Sequence, residues 1–365
     1  MNCCSSFARR LIISGGSSTR TLTLRRFASL PENGGSRKKS FGDQFLRKET
    51  TTFDFNGTRF SIQSVVQDTQ PSGSSLGTVI ALHGSPGSHK DFKYVSPLLQ
   101  AKGIRFIGVN FPGYGLTEGH PQFNQDNMER VAYVQALCDQ LGLHKNLIFM
   151  GHSRGTENAL KMAALNPDKT VGIVQANFLG ARVHRGIRPR WLLTTITYLW
   201  DLGWTRAVLR PLLYFVYVNI VNLKVKSGDE AAWALSSMRA EKLELPTQKA
   251  FVAKLNDSGI KSLLLYSGQD PLMEPEICTE FAALFAGNKL FVSESFKFWV
   301  LNSHFQNFET QTEEEEIKET VCGELESGTR SVAVFFKDDG HFMQKYRAQL
   351  MADAAESMLK STKSP

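Results

Sequence analysis

The sequence predicts an α/β protein built on a mostly parallel sheet, and three observations carry that prediction. Short apolar runs recur along the chain and end at histidine, asparagine or glycine. Stretches of helical spacing lie between them. The runs are apolar throughout rather than alternating, as expected of strands covered on both faces.

In chain order, Thr51 to Val66 reads as two strands joined at Asn56-Gly57, a strong short hairpin signal. Pro71 to Gly77 is a turn rich in Pro, Gly and Ser. Thr78–Leu82 and Arg105–Val109 are strand-like. Residues 126–141 place Met128, Val131, Val134, Leu137, Cys138 and Leu141 at helical spacing. Leu147–Met150 is a third strand run, and Thr156–Leu165 a helix stopped by Asn166-Pro167. Val171–Ala176, Ser262–Tyr266 and Ser331–Phe336 complete the set. Two segments break the alternation. Residues 180–258, rich in Trp, Leu, Tyr and Arg, read as a helical cap inserted between strands. Residues 295–329, with the run Glu313 to Glu316, read as a surface insertion whose acids form a solvated loop. The core is thus expected in two parts, 50–179 and 259–360, with no internal repeat.

The 365 residues, 42% hydrophobic and 21% charged, describe an ordinary globular protein with ample length for a large core. The net charge of +7 sits in residues 1–40, which hold eight basic residues against Glu32 alone. The remainder balances 34 basic with 34 acidic residues and offers no charge excess for nucleic-acid binding. Cys3, Cys4, Cys138, Cys278 and Cys322 contain no C-x-x-C pair, which argues against a disulfide framework or a cysteine-rich metal site. Cys138 follows Val131 and Val134 at helical spacing and reads as a core thiol.

Residues 1–31 carry five arginines, many Ser and Thr, and no acid, the composition of a mitochondrial transit peptide. Arg25-Arg26-Phe27-Ala28 resembles a processing site, with cleavage expected near Phe27 or Ala28. The mitochondrial matrix is the expected location; a merely basic tail would leave the chain in the cytoplasm. Palmitoylation of Cys3 and Cys4 is a weaker alternative. No run reaches the ~18 apolar residues of a membrane span. The nearest, Leu212–Val221, is instead a candidate for peripheral membrane contact through the cap.

The chemistry centres on Gly151-His152-Ser153-Arg154-Gly155, a G-x-S-x-G motif between a strand-like and a helix-like run. A reversal from strand to helix in so few residues strains the serine. It also leaves no room for side chains two residues to either side, hence the two glycines. A serine hydroxyl needs a base, and the base an orienting acid. Asp270, in Gly268-Gln-Asp-Pro271, falls on the loop after strand 262–266. His341, after Asp339-Gly340, falls on the loop after strand 331–336.

Together with His83-Gly-Ser-Pro-Gly87 and Phe111-Pro-Gly-Tyr-Gly115, these motifs make residues 55–355 resemble the α/β-hydrolase fold family. The resemblance implies a Ser153–His341–Asp270 triad and an oxyanion hole made by the backbone N–H groups of Ser85 and Arg154. It implies structural roles for His83, Gly84, Pro86, Gly151, His152 and Gly155, and a cis bond before Pro86. The remaining histidines, His89, His120, His144, His184 and His304, read as surface or core residues. Epoxide hydrolases and haloalkane dehalogenases share the H-G-x-P loop, but their chemistry needs a carboxylate where this chain has Ser153. Asn110 stands where many relatives carry aspartate. Arg154 is charged where many are not; its guanidinium either meets an anionic substrate group or pairs with a cap residue.

The expected activity is therefore a metal-free, cofactor-free serine hydrolase acting on an ester, thioester or amide. The cap residues Trp191, Leu192, Leu193, Trp200, Trp204, Tyr214, Phe215 and Tyr217 suggest an apolar acyl or lipid-like substrate, although packing accounts for most such residues. An acyltransferase or carbon–carbon bond hydrolase would use the same triad, and an idle scaffold would keep only the fold.

Overall fold

The computed structural model describes residues 41–293 and 306–361. The expected transit segment and its cleavage point lie outside these. The described residues from Phe41 onward belong to one compact unit.

The chain enters through a hairpin, β1 (Leu46–Phe55) and β2 (Thr58–Asp68), paired antiparallel. Asn56 and Gly57 turn it with φ of 47° and 76°, the left-handed values that a two-residue hairpin needs. Then follow β3 (Thr78–Leu82), α1 (Ser96–Ala101), β4 (Arg105–Gly108), α2 (Asn127–Gln140), β5 (Leu147–His152), α3 (Gly155–Leu165) and β6 (Thr170–Ala176). Four helices come next: α4 (Arg190–Asp201), α5 (Arg206–Phe215), α6 (Gly228–Ser237) and α7 (Ala240–Leu243). The chain returns through α8 (Gln248–Ser258), β7 (Lys261–Ser267), α9 (Pro275–Ala282), β8 (Asn288–Ser293), α10 (Gln306–Glu326), β9 (Ser331–Phe336), α11 (Met343–Tyr346) and α12 (Ala348–Lys360).

Among the described residues nine strands form one sheet in the order β1-β2-β4-β3-β5-β6-β7-β9-β8. β2 meets β4 antiparallel, and every pair from β4 to β8 is parallel. Successive strand side chains point to opposite faces, so each strand feeds two cores. Ile80, Leu82, Leu147 and Phe149 join one cluster with α2, α3 and α8. Val79, Ala81, Ile148 and Met150 join the other with α1, α10 and α12. Cys138 is buried in the first cluster, as its spacing predicts.

Three expectations need correction. Residues 306–326 form α10 rather than part of a surface insertion, and its Val321 and Leu325 are fully buried against the sheet. Glu314 to Glu316 are therefore on a helix, not a loop. The pattern was hidden because between Phe308 and Ile317 α10 carries no apolar residue and four glutamates in a row. The cap is narrower than 180–258: α8 buries Val252 and Leu255 and packs on α3, as the ordinary crossover helix between β6 and β7. Last, packing does not account for most of the eight cap residues named above. Trp200 and Tyr217 are buried and Leu193 packs partly against the core, but Trp191, Leu192, Trp204, Tyr214 and Phe215 are exposed.

Candidate active site

Ser153 sits where β5 ends and α3 is about to begin, with φ of +50°. A β-carbon-bearing residue holds that value at a cost of about 1–3 kcal/mol, met by the surrounding packing. Its N–H donates to Ala176 O at 3.0 Å, and its carbonyl accepts from the Thr156 N–H and hydroxyl. The flanking glycines are obligatory. A β-carbon on Gly155 would stand 2.0 Å from Leu82 O, and one on Gly151 would stand 2.5 Å from Thr156 Cα. The collisions fall on the neighbouring strand and helix, as the motif predicts.

Asp270 and His341 arrive from the C-terminal ends of β7 and β9. His341 Nδ1 and Asp270 Oδ2 are 2.7 Å apart. The other Asp270 oxygen accepts from the Leu272 and Met273 N–H groups at 2.8 and 3.2 Å. Burial works to raise the Asp270 carboxyl, but the hydrogen bond and charge of His341 and the two N–H groups outweigh it and hold it below the usual range. The His341 carbonyl accepts from His152 Nε2 at 2.9 Å and Asn177 Nδ2 at 2.8 Å, and the His152 and His341 rings lie 5.0 Å apart. His152 thus ties the loop of His341 to the residue beside Ser153. Asp270, Ser153 and His341 are all nearly buried.

The loop from His83 to Asp91 lies over Ser153. A β-carbon on Gly84 would come within 3.3 Å of Ser153 Cβ. His83 Nδ1 donates to Gly84 O at 2.7 Å and its Nε2 accepts from the Phe111 N–H at 3.1 Å. Burial pushes the His83 ring down to about 4, so it stays neutral and structural. Ser85-Pro86 is cis. Asp91 closes the loop, accepting from the Gly84 and Ser88 N–H groups at 3.2 and 3.1 Å, with His152 Nδ1 at 3.6 Å.

The side chains of Ser85 and Arg154 both reach the same residue of α6. Ser85 Oγ lies 2.7 Å from Ser237 Oγ and 3.0 Å from the Tyr114 hydroxyl. Arg154 Nε donates to Ser237 O at 3.2 Å, and Nη1 lies 2.8 Å from Glu157 Oε2. The guanidinium is completely buried, which removes the anionic-substrate reading of Arg154. Its ion-pair partner is Glu157 on its own helix; the cap supplies carbonyls from Ser237 and Lys242. Burial lifts Glu157 to about 7, against the pull of Arg154.

Asp91, Asn177 and Ser237 escaped the sequence reading, as did the contact of Tyr114, itself within a quoted motif, with Ser85. Only Asp91 had a usable signal: Ser88 and Asp91 form a capping box, a spacing readable from sequence. Among the other histidines, His89 and His184 are core residues. A groove of about 730 Å³ runs between this site's loops and the cap, walled by Pro86, Gly87 and Phe342 on one side and Asn222 to Lys226 on the other.

Residues 45–360 match the family model described as an alpha/beta hydrolase of unknown function (DUF1057). The uncharacterized protein F35H12.5 of Caenorhabditis elegans is 31% identical over 87% of this chain and 84% of its own length. In structure, the haloalkane dehalogenase DbeA of Bradyrhizobium elkani is similar with a TM-score of 0.58 at 17% identity, covering 86% of this chain and 97% of that one. A thermophilic esterase from Thermogutta terrifontis gives 0.57 at 16% identity, covering 87% and 99%.

Proposed function

The chain belongs to the α/β-hydrolase family, and from that premise we propose that it is a serine hydrolase cleaving an ester-type bond of an apolar acyl substrate. The observation that carries this reading is the 2.7 Å contact of His341 Nδ1 with Asp270, together with a serine held at φ +50° at the end of β5. With Nδ1–H engaged by Asp270, the ring offers Nε2 as the base. Ser153 Oγ adds to the substrate carbonyl carbon as its proton passes to His341. The carbonyl oxygen takes the negative charge between the Ser85 and Arg154 N–H groups. The C–O bond to the leaving group then breaks, and that group leaves with the proton from His341. Water, deprotonated by the same ring, releases the acid and restores Ser153. The serine supports this route over dehalogenase chemistry, which needs a carboxylate nucleophile. The exposed apolar cap beside the groove supports an acyl or lipid-like substrate.

The test is labelling of the full chain by a fluorophosphonate probe, with Ser153→Ala alongside. Labelling that disappears with Ser153 is expected. An unlabelled but folded chain would replace this reading with that of an idle fold used for binding.

A further inference from the structure

Helices α4 and α5 each have a buried side and an apolar side that faces water. α4 buries Thr197 and Trp200, and α5 buries Leu209 and Leu213. The opposite sides carry Trp191 and Tyr198 on α4, then Trp204, Val208, Leu212 and Phe215 at spacings of four, four and three, which is one helical face. Trp191, Trp204 and Val208 are 68%, 79% and 71% exposed. Isolated exposed apolar residues are ordinary; a face of this kind marks an interaction surface.

The charge around it is one-sided. Residues 181–226 contain eight basic residues and one acid, Asp201. Arg182, Arg188 and Arg210 pair with Glu280, Glu274 and Asp229. Arg185, Arg190, Arg206 and Lys224 are exposed and have no carboxylate partner among the described residues. Tryptophan and tyrosine with arginine on an amphipathic helix are the composition that suits a bilayer interface, the rings at headgroup depth and the cations on phosphates. The chain also leads from this face straight to the groove: exposed Ile220 and Val221 precede Asn222, where the groove wall starts.

We propose that the outer face of α4 and α5 docks the protein on an anionic phospholipid bilayer, with the groove mouth at the lipid surface. This goes beyond the hydrolase reading and stands without it. The rings and aliphatic side chains enter the interfacial layer, and Arg185, Arg190, Arg206 and Lys224 meet the headgroup phosphates.

The test is vesicle sedimentation of the full chain on phosphatidylcholine alone and with added phosphatidylserine. Tryptophan emission is recorded in parallel, since residues 1–40 contain no tryptophan and cannot produce a shift. At least tenfold stronger binding to the anionic vesicles and a blue-shifted emission are expected. Trp204→Ser/Val208→Ser/Phe215→Ser should lose at least tenfold of that binding. A second variant, with Arg185, Arg190, Arg206 and Lys224 changed to Gln, should lose at least tenfold of the preference for phosphatidylserine, residues 1–40 being the same in both chains. Both variants should keep the parent melting temperature. Parent-level binding by the triple Ser variant would overturn the proposal, as would unshifted emission. So would a vesicle-free dimer that the triple Ser variant abolishes, since the face would then belong to a second copy of the chain.

Discussion

The two sides of the cap are built on opposite principles. Its inner side is packed and tied down: Trp200, Leu209, Leu213 and Tyr217 lie in the core, and polar groups take over where α6 meets the site. Ser237 meets Ser85 through its hydroxyl and Arg154 through its carbonyl, while Gln248, just past the cap, donates to Glu157 at 3.0 Å. Its outer side is apolar and tied to nothing else among the described residues. Of the two, the exposed apolar side is the unusual one. The contrast separates two uses of apolar surface: the inner side packs and holds the site in place, and the outer side, on the proposal above, is left for a bilayer.

That contrast is broken most severely at the inner side. Glu157→Leu leaves the Arg154 guanidinium buried without its carboxylate and should cost about 3–5 kcal/mol in urea unfolding. Acid should strike the same side next. Asp270 and Asp91 are each raised by burial but lowered further by their histidines and by backbone N–H groups, so both sit below their ordinary values. A carboxyl lowered on folding contributes stability that is complete above its unfolded pKa of about 3.9 and is lost as the pH falls through the folded value. Asp270→Asn should flatten that acid limb in a series of urea midpoints. Ser237→Ala should cost about 1 kcal/mol of stability and lower kcat about tenfold with KM little changed, because Ser85 loses its anchor. Ser237→Thr should restore turnover; a KM effect alone would break the link to Ser85. At the outer side, Trp204→Ser should leave stability within about 0.5 kcal/mol and leave turnover of a soluble ester unchanged. A large loss there would show that the face is packed after all.

The sequence made the site more legible than its supports. The elbow was readable because its glycines are forced by local sterics, so two residues of spacing carry the whole geometry. The hairpin was readable because Asn56-Gly57 supplies both left-handed positions. Asp270 and His341 were readable from their places after strands. Ser237 was not, since nothing local marks a cap serine that meets Ser85 from 152 positions away. Nor were β8, whose half-exposed pattern at the sheet edge lacks the continuous apolar run of a central strand, and α10, whose run Glu313 to Glu316 reads as a solvated loop. The fate of Arg154 was also hidden: its helix partner lies three residues on, but the carbonyls that complete its shell come from Ser237 and Lys242.

The last helix sets the order of events in the protein's manufacture. α12 contributes Met351, Ala354, Ala355 and Met358 to the core beneath the sheet, and it lies so close to β6 that a β-carbon on Gly172 would stand 2.4 Å from Met358 Sδ. That layer therefore cannot close until α12 has left the ribosome. Ser153 emerges well before His341; at 5–20 residues per second the interval is roughly 10–40 s. On the proposed mechanism the serine has no base throughout it, and the nascent chain is chemically silent. On that mechanism a complete site and a finished core are acquired together, once α12 has emerged.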